Sequence, residues 1–421
     1  MNMHPRIQRT AAEAALLQTF EDQVTRLPGD AAVAHRRDAA MELVKQGLPS
    51  RRVEAWHYTD LRRLLTSVPP LAEPARAAEL APLLPGSAVF AISNGDVGPR
   101  PQMPGLASSR LAEHLASGTL APVLQALASD DFVGALNAAL VADGFVLRVA
   151  PGTALERPVE LQNLHTGGQA YARFAVDVGA GASGVFVERQ TGQGAGFVSS
   201  VTDLRLEDDA KATWIVVQEQ PEGASHFGQL RASLGKNAHL TLFVMNAGGR
   251  LVRQELRVKA AGEGAQFTLR GVNLLSGDAH SDLTMIVDHS VPHTGSTEIV
   301  RNVVTDRAHG VFQGRINVHQ VAQKTDARMA CNTLLLSDDA EFDTKPELEI
   351  FADDVACGHG ATVTEIDRNH LFYLMARGID EKTARGLLVK AFVAEVIEEL
   401  EDEAVVAALE AKLDAWFAAH G

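Results

Sequence analysis

The sequence predicts a mainly β protein, a β-helix with irregular rungs, set between helical ends. Three observations lead there. From about Phe145 to Val355 the chain runs in short segments rich in Val, Thr, Phe and Leu, separated by Gly, Asp and Asn at roughly 8- to 12-residue spacing, the pattern of consecutive strands and turns. Helical periodicity is confined to what precedes and follows. About two hundred residues of strand without an intervening helix could form a sandwich, a barrel or a solenoid, and periodicity alone leaves all three open. The stretch is long for one sandwich and shows no strict repeat, which favours a solenoid of unequal coils.

In chain order, helices are expected over Ala11 to Leu27 and Ala31 to Lys45, the second with Asp30 as its cap and Gly47 as its stop. Leu48-Pro49-Ser50 reads as loop, and a Pro-rich stretch runs from Pro69 to Pro85. Helical periodicity returns over Ser109 to Ala128 and Asp131 to Ala142, ending at Gly144, so residues 1–144 read as a mostly helical domain. Strands follow, among them Val159 to Leu164, Arg173 to Val178, Ser183 to Arg189, Ala212 to Gln218, His239 to Met245, Gln266 to Leu274, Leu283 to Asp288 and Gly310 to Val318, within a β-helix core over 145–360. In His239 to Met245, alternation places Leu240, Leu242 and Val244 on one face, ready for burial. Residues 361–421 return to helix. Leu371 to Arg377 is a short helix stopped by Gly378, Asp380 caps the next, and Ala384, Leu387, Leu388, Ala391 and Phe392 make an apolar stripe along it. A final helix carries Val406, Leu409, Leu413, Trp416 and Phe417.

Composition narrows the partners. With 38 Lys+Arg against 53 Asp+Glu the net charge is -15, which repels phosphate backbones and anionic lipid heads, so neither nucleic acid nor a membrane surface is expected. About half of that charge lies after Ala391. No apolar run approaches the roughly 20 residues of a membrane helix, and Glu13, Gln18 and Glu21 interrupt any secretory signal. Two cysteines, Cys331 and Cys357, are too few for a disulfide framework or a four-cysteine metal site, and a reducing cytoplasm fits best.

The most distinctive polar cluster is Cys357-Gly358-His359-Gly360, where the strands give way to helix. On an extended segment a thiol and an imidazole two residues apart share a face, and the glycines admit a metal or another chain. Two ligands are half of a tetrahedral site, so the rest would come from a second chain, sulfide or water; a structural cysteine beside a surface histidine is the plainer reading. Cys331, ahead of Leu334-Leu335-Leu336, reads as a small packed side chain. His289 and His293 are four apart, but Pro292 denies them helical metal-ligand geometry. Asp343, Glu347, Glu349, Asp353 and Asp354 could serve acid-base work on a sugar, or simply form a solvated face. No phosphate-binding loop, dinucleotide fingerprint or nucleophile elbow occurs, which leaves ATPase, dehydrogenase and α/β-hydrolase chemistry unsupported.

These segments together resemble the SufB/SufD family of the SUF iron-sulfur cluster assembly machinery over nearly the whole chain. The resemblance rests on Gly47-Leu48-Pro49-Ser50-Arg51 with Glu54, Trp56, Tyr58 and Thr59; on Leu136-Asn137-Ala138 with Asp143-Gly144; on His289, His293 and Ser296; on Val311-Phe312-Gln313-Gly314; and on Ala322-Gln323-Lys324-Thr325-Asp326. Its densest part runs from Leu334-Leu335-Leu336-Ser337 through Asp343-Thr344-Lys345-Pro346-Glu347-Leu348-Glu349-Ile350, Asp353-Asp354-Val355 and Cys357-Gly358-His359-Gly360-Ala361-Thr362-Val363 to Leu371-Phe372-Tyr373-Leu374 and Arg377-Gly378-Ile379.

The resemblance implies a right-handed parallel β-helix between helical domains, a scaffold rather than an enzyme, pairing with a SufB-like subunit through the β-helix. It further implies docking of a SufC-like ABC ATPase through Phe372, Tyr373, Arg377, Gly378, Ile379, Ala384, Leu387, Leu388, Ala391 and Phe392. Transient iron or a nascent iron-sulfur cluster is then expected at the interface with SufB, with His359 and Cys357 as ligand candidates and Cys331 a weaker one, and nothing held by this chain alone. A homodimer of the isolated chain is the other assembly considered. Gly360, where SufB tends to carry Glu, favours the SufD side of the family, whereas Cys331 stands about where SufB has its functional cysteine. The alternatives are a SufB-like paralogue and a β-helix carbohydrate-active enzyme.

Overall fold

The computed structural model describes residues 9–73 and 79–420; residues 74–78 of the Pro-rich stretch lie outside it. Helix α1 (Ala11–Gln23) begins at a capping box, with Glu13 N–H donating to Thr10 Oγ1 at 3.2 Å and Thr10 N–H donating to Glu13 Oε2 at 2.8 Å. Helix α2 (Ala31–Val44) starts at Asp30 as the sequence implies, and α3 (Leu61–Leu64) is a single turn. The helix expected over Ser109 to Ala128 is not one element. It divides into the end of a strand, α4 (Leu111–Ala116) and a 3-10 turn at Ala121–Leu124, because Gly118 turns at φ +71 and Pro122 cannot donate to a continuing helix. Helix α5 (Phe132–Leu140) is capped by Asp131.

The strands are β1 (Ala88–Ser93), β2 (Asp96–Val97), β3 (Leu106–Arg110), β4 (Gly144–Val149), β5 (Val159–His165), β6 (Gly168–Val178), β7 (Ser183–Gly192), β8 (Gly196–Leu206), β9 (Lys211–Glu219), β10 (Ser225–Leu234), β11 (His239–Asn246), β12 (Leu251–Ala260), β13 (Gln266–Leu275), β14 (His280–His289), β15 (Gly295–Val304), β16 (His309–Val318), β17 (Asp326–Leu335), β18 (Glu341–Ile350) and β19 (Ala356–Thr364). From β4 onward they alternate between two sheets, ordered β19-β17-β15-β13-β11-β9-β7-β5-β1-β2 and β18-β16-β14-β12-β10-β8-β6-β4-β3. Neighbours from β4 to β19 pair in parallel, so the chain coils as a parallel β-solenoid of about eight turns with helices at both ends. The missing sequence repeat has a simple cause. Paired positions His239, Gln266, Gly295, Asp326 and Ala356 lie 27, 29, 31 and 30 residues apart, because the turns differ in length.

The β region is wider than the sequence suggests at both ends. Strand β1 already pairs in parallel with β5, and β19 adds a strand beyond Val355. Inside the coil Leu240, Leu242 and Val244 pack in the central core with Leu269, Met285 and Val300. The opposite face is buried as well: Phe243 and Met245 lie beneath the C-terminal helices, and α5 packs on β6, β8 and β10 of the other sheet.

At the C-terminus α6 (Arg368–Met375) starts earlier than expected, Gly378 takes φ +86, and Asp380 caps α7 (Glu381–Glu398), which precedes α8 (Glu403–His420). The buried side of α7 is Ala384, Val389, Val393, Val396 and Ile397. Of the expected stripe, Ala384 is buried, Leu388 and Phe392 are half-buried, and Leu387 and Ala391 face outward. This helix is apolar over much of its circumference, and the β-branched side meets the sheet, held by Arg270 to Glu399 at 2.6 Å and Arg301 to Glu395 at 2.7 Å.

Candidate functional site

The last coil of the solenoid is open. Strand β18 pairs with β16 and β19 with β17, and among the described residues neither has a neighbour on its other edge. Cys357 and His359 lie on β19, in register with Ala327 and Met329, both of which point into the central core. The two side chains therefore share the inward side of the terminal strand, as their spacing implies. Cys357 is half-buried against the core and His359 is exposed. Burial pushes the Cys357 thiol up, the backbone of Ala327 works against that, and the charges of Asp326 and Glu298 add to it. A Cβ at Gly358 or Gly360 would meet nothing, so packing within this chain does not demand glycine there.

Cys331 is elsewhere. It is 1% exposed inside the coil on β17, in register with Ala361, four residues along from the Ala327–Cys357 pair. Burial pushes its thiol up to about 11, eased by the hydrogen bond it accepts from Asn302. Asn302 belongs to a buried amide ladder in which Asn246 donates to Asn273 at 2.8 Å, Asn273 to Asn302 at 2.7 Å, and Asn302 to the Cys331 Sγ at 3.3 Å. His289 is buried, bonded to Thr294 Oγ1 at 2.8 Å and Ser296 Oγ at 3.1 Å, and pushed down to about 4 by burial, while His293 sits in a turn at φ +58. They share no ligand position.

The carboxylates on β18 have side-chain partners. Asp343 pairs with His309 at 2.8 Å, Glu347 with Lys345 at 3.1 Å and Arg315 at 3.5 Å, and Glu349 with Arg315 at 3.8 Å. Together they form a paired outer face. Among the described residues no group of three or more His, Cys, Asp and Glu side chains is placed to hold a metal.

The N-terminal motif residues form a strap on the outer face of this same sheet, the one that ends in β18. Trp56 is fully buried with the Arg253 guanidinium 4.0 Å from its ring centre, Thr59 bonds to Asp282 and to His280 at 3.0 Å, and Glu54 pairs with Lys345 on β18. Sequence reasoning missed where this strap lies and missed Glu298, which shares the inward face of β15 with Ser296 and Val300. The alternation Ser296-Thr297-Glu298-Ile299-Val300 was the available signal.

The C-terminal candidates form a separate surface. Phe372 is 72% exposed, Tyr373 55% and Leu387 48%, and Arg377 lies over the Tyr373 ring at 3.5 Å. Helix α6 has no buried residue.

Comparison with known proteins places residues 161–392 in the family described as SUF system FeS cluster assembly, SufBD core domain. The chain is similar to the iron-sulfur cluster assembly protein SufD of Escherichia coli K12, at 27% identity over 86% of this chain and 88% of that one. It is also similar to the chloroplastic protein ABCI7 of Arabidopsis thaliana, at 27% identity over 93% of this chain and 87% of that one. A SufBD family protein of Synechocystis is 31% identical over 48% of this chain and 45% of its own length.

Proposed function

The chain belongs to the SufBD family of iron-sulfur cluster assembly proteins, and from that premise we propose that it is a SufD-like, non-catalytic scaffold that pairs with a SufB-like subunit and docks a SufC-like ATPase in the cytoplasm. The observation that carries the reading is the open terminal coil. The unpaired edges of β18 and β19 offer backbone donors and acceptors to a partner strand, and Cys357 and His359 lie at that edge. A thiol and an imidazole supply two ligands to iron or a growing cluster, which is cargo here, and the partner completes the set. Open space over Gly358 and Gly360 is consistent with a second chain arriving there. The carbohydrate-enzyme alternative loses support because three of its carboxylates, Asp343, Glu347 and Glu349, are held by neighbouring side chains.

The ATPase would dock on a separate surface, on α6 and the outward side of α7, where Phe372, Tyr373 and Leu387 are exposed. Co-purification through the full chain from its native host, with subunits identified and iron counted, tests the assembly. His359→Ala should keep the complex intact and lower cluster formation in cells; assembly at the wild-type rate overturns the ligand role. Phe372→Asp with Leu387→Asp should release the ATPase and retain the SufB-like subunit, and loss of both from a chain that still unfolds at the wild-type midpoint would refute separate docking surfaces.

A further inference from the structure

Glu298 is a carboxyl buried inside the solenoid with nothing to neutralise it. It is 0% exposed and lies in register between Leu269 on β13 and Met329 on β17. Among the described residues neither carboxyl oxygen has a hydrogen-bond partner, and Ser296, the hydroxyl close enough to ease its charge, already engages His289. The same solenoid shows how an interior carboxyl can be satisfied: Glu188 on β7 accepts from Gln190 at 2.7 Å, Thr202 at 2.8 Å and Trp214 at 3.3 Å. An orphaned buried carboxyl costs stability and calls for a reason. Its position supplies one. It lies two strands in from β19, with β17 between, about 10 Å from the Cys357–His359 edge by strand spacing.

We propose that Glu298 is a stored proton and counter-charge for the terminal coil, neutral while Cys357 and His359 are free and ionised when a divalent cation binds them. The inference rests on the cation site proposed above. The balance is simple: one thiol, one carboxylic acid and one divalent cation give a thiolate–metal bond, a carboxylate and two protons passed to solvent, with no change of oxidation state. Thiol ligation alone would release one.

The surroundings allow this. Burial pushes Glu298 up to about 8, so it holds its proton at neutral pH. The charged and titratable groups near it are Arg270 of β13, which lowers it slightly; His289 of β14, held neutral by burial; Cys331 of β17, a neutral thiol; Asp326 at the start of β17; and Cys357 and His359 of β19. A bound dication with one thiolate adds one net positive charge. At about 10 Å and an effective dielectric of about 20, that charge makes the carboxyl roughly tenfold more acidic.

The test uses cobalt(II) as probe on the complex purified through the full-length chain, titrated calorimetrically in buffers of different ionisation enthalpy. Wild type should release about half a proton more per cobalt at pH 7.5 than Glu298→Gln, and its affinity advantage should grow from about one-fold at pH 6 to about tenfold at pH 9. Glu298→Met, equally uncharged, should behave like Glu298→Gln, which separates charge from shape. Cobalt binding that depends on Cys357, with equal proton release in wild type and both variants, overturns the role of Glu298 alone. No cobalt binding, or binding that Cys357→Ser leaves unchanged, overturns the cation site and this inference with it.

Discussion

Glu298 also makes a prediction about stability that needs no metal. Its folded state holds the proton to about pH 8, whereas the unfolded carboxyl releases it near its ordinary 4.5. Between those values the native state binds more protons than the unfolded one, so its contribution is fully present below about pH 4.5 and is lost as pH rises through 8. The gap of about 3.5 pKa units corresponds to a loss of roughly 5 kcal/mol between pH 4.5 and 9. Glu298→Gln keeps the shape of the neutral acid and removes the titration. For a chain of this length, an unfolding entropy of about 2 cal/mol/K per residue turns 5 kcal/mol into a midpoint difference of roughly 5 °C. Thermal unfolding of both proteins at pH 5, 7 and 9 measures it, and the midpoint of the variant should gain on that of wild type across the series. A difference that stays constant from pH 5 to 9 would refute the claim that Glu298 is buried without a partner.

The acid side has the opposite sign. His226 is pushed down to about 3, and His280 and His289 to about 4, each chiefly by burial, so the stability they carry is present above about 6.5 and lost as pH falls toward 4; His289→Asn should flatten that acid slope by up to about 3 kcal/mol in urea unfolding. Trp56→Ala removes a fully buried ring that covers the Arg253 guanidinium and meets Phe132 edge-on at 6.1 Å, and should cost about 3–5 kcal/mol. An unchanged urea midpoint would show that the strap is not anchored there. Alkylation followed by mass spectrometry should modify Cys357 and spare Cys331 in the native chain, and modify both in urea, since one is half-buried and the other 1% exposed. Leu387→Asp should weaken ATPase docking and change the unfolding free energy by no more than about 0.5 kcal/mol, because Leu387 lies on the outward side of α7 and is 48% exposed.

Alternation and turn residues in the sequence determined that a long β region lies between helices, and local chemistry determined the caps at Asp30 and Asp380 and the stop at Gly378, because these depend on neighbours within a few residues. The two-residue spacing likewise put Cys357 and His359 on one face. Tertiary structure alone decided what lies some thirty residues away along the chain. Coils of 27 to 31 residues have no fixed period to read, yet they bring Glu298, Met329 and His359 into one inward column and carry Cys331 away from Cys357. The side of α7 that would be buried was equally undetermined, since its valine side and its Leu387–Ala391 side are both apolar and only the sheet chose between them. The β18 carboxylates show the same limit: their spacing suited acid-base chemistry, and only the approach of His309, Arg315 and Lys345 from neighbouring positions paired them instead. Burial and partnership are properties of contacts between coils, and a single strand's sequence does not contain its neighbours.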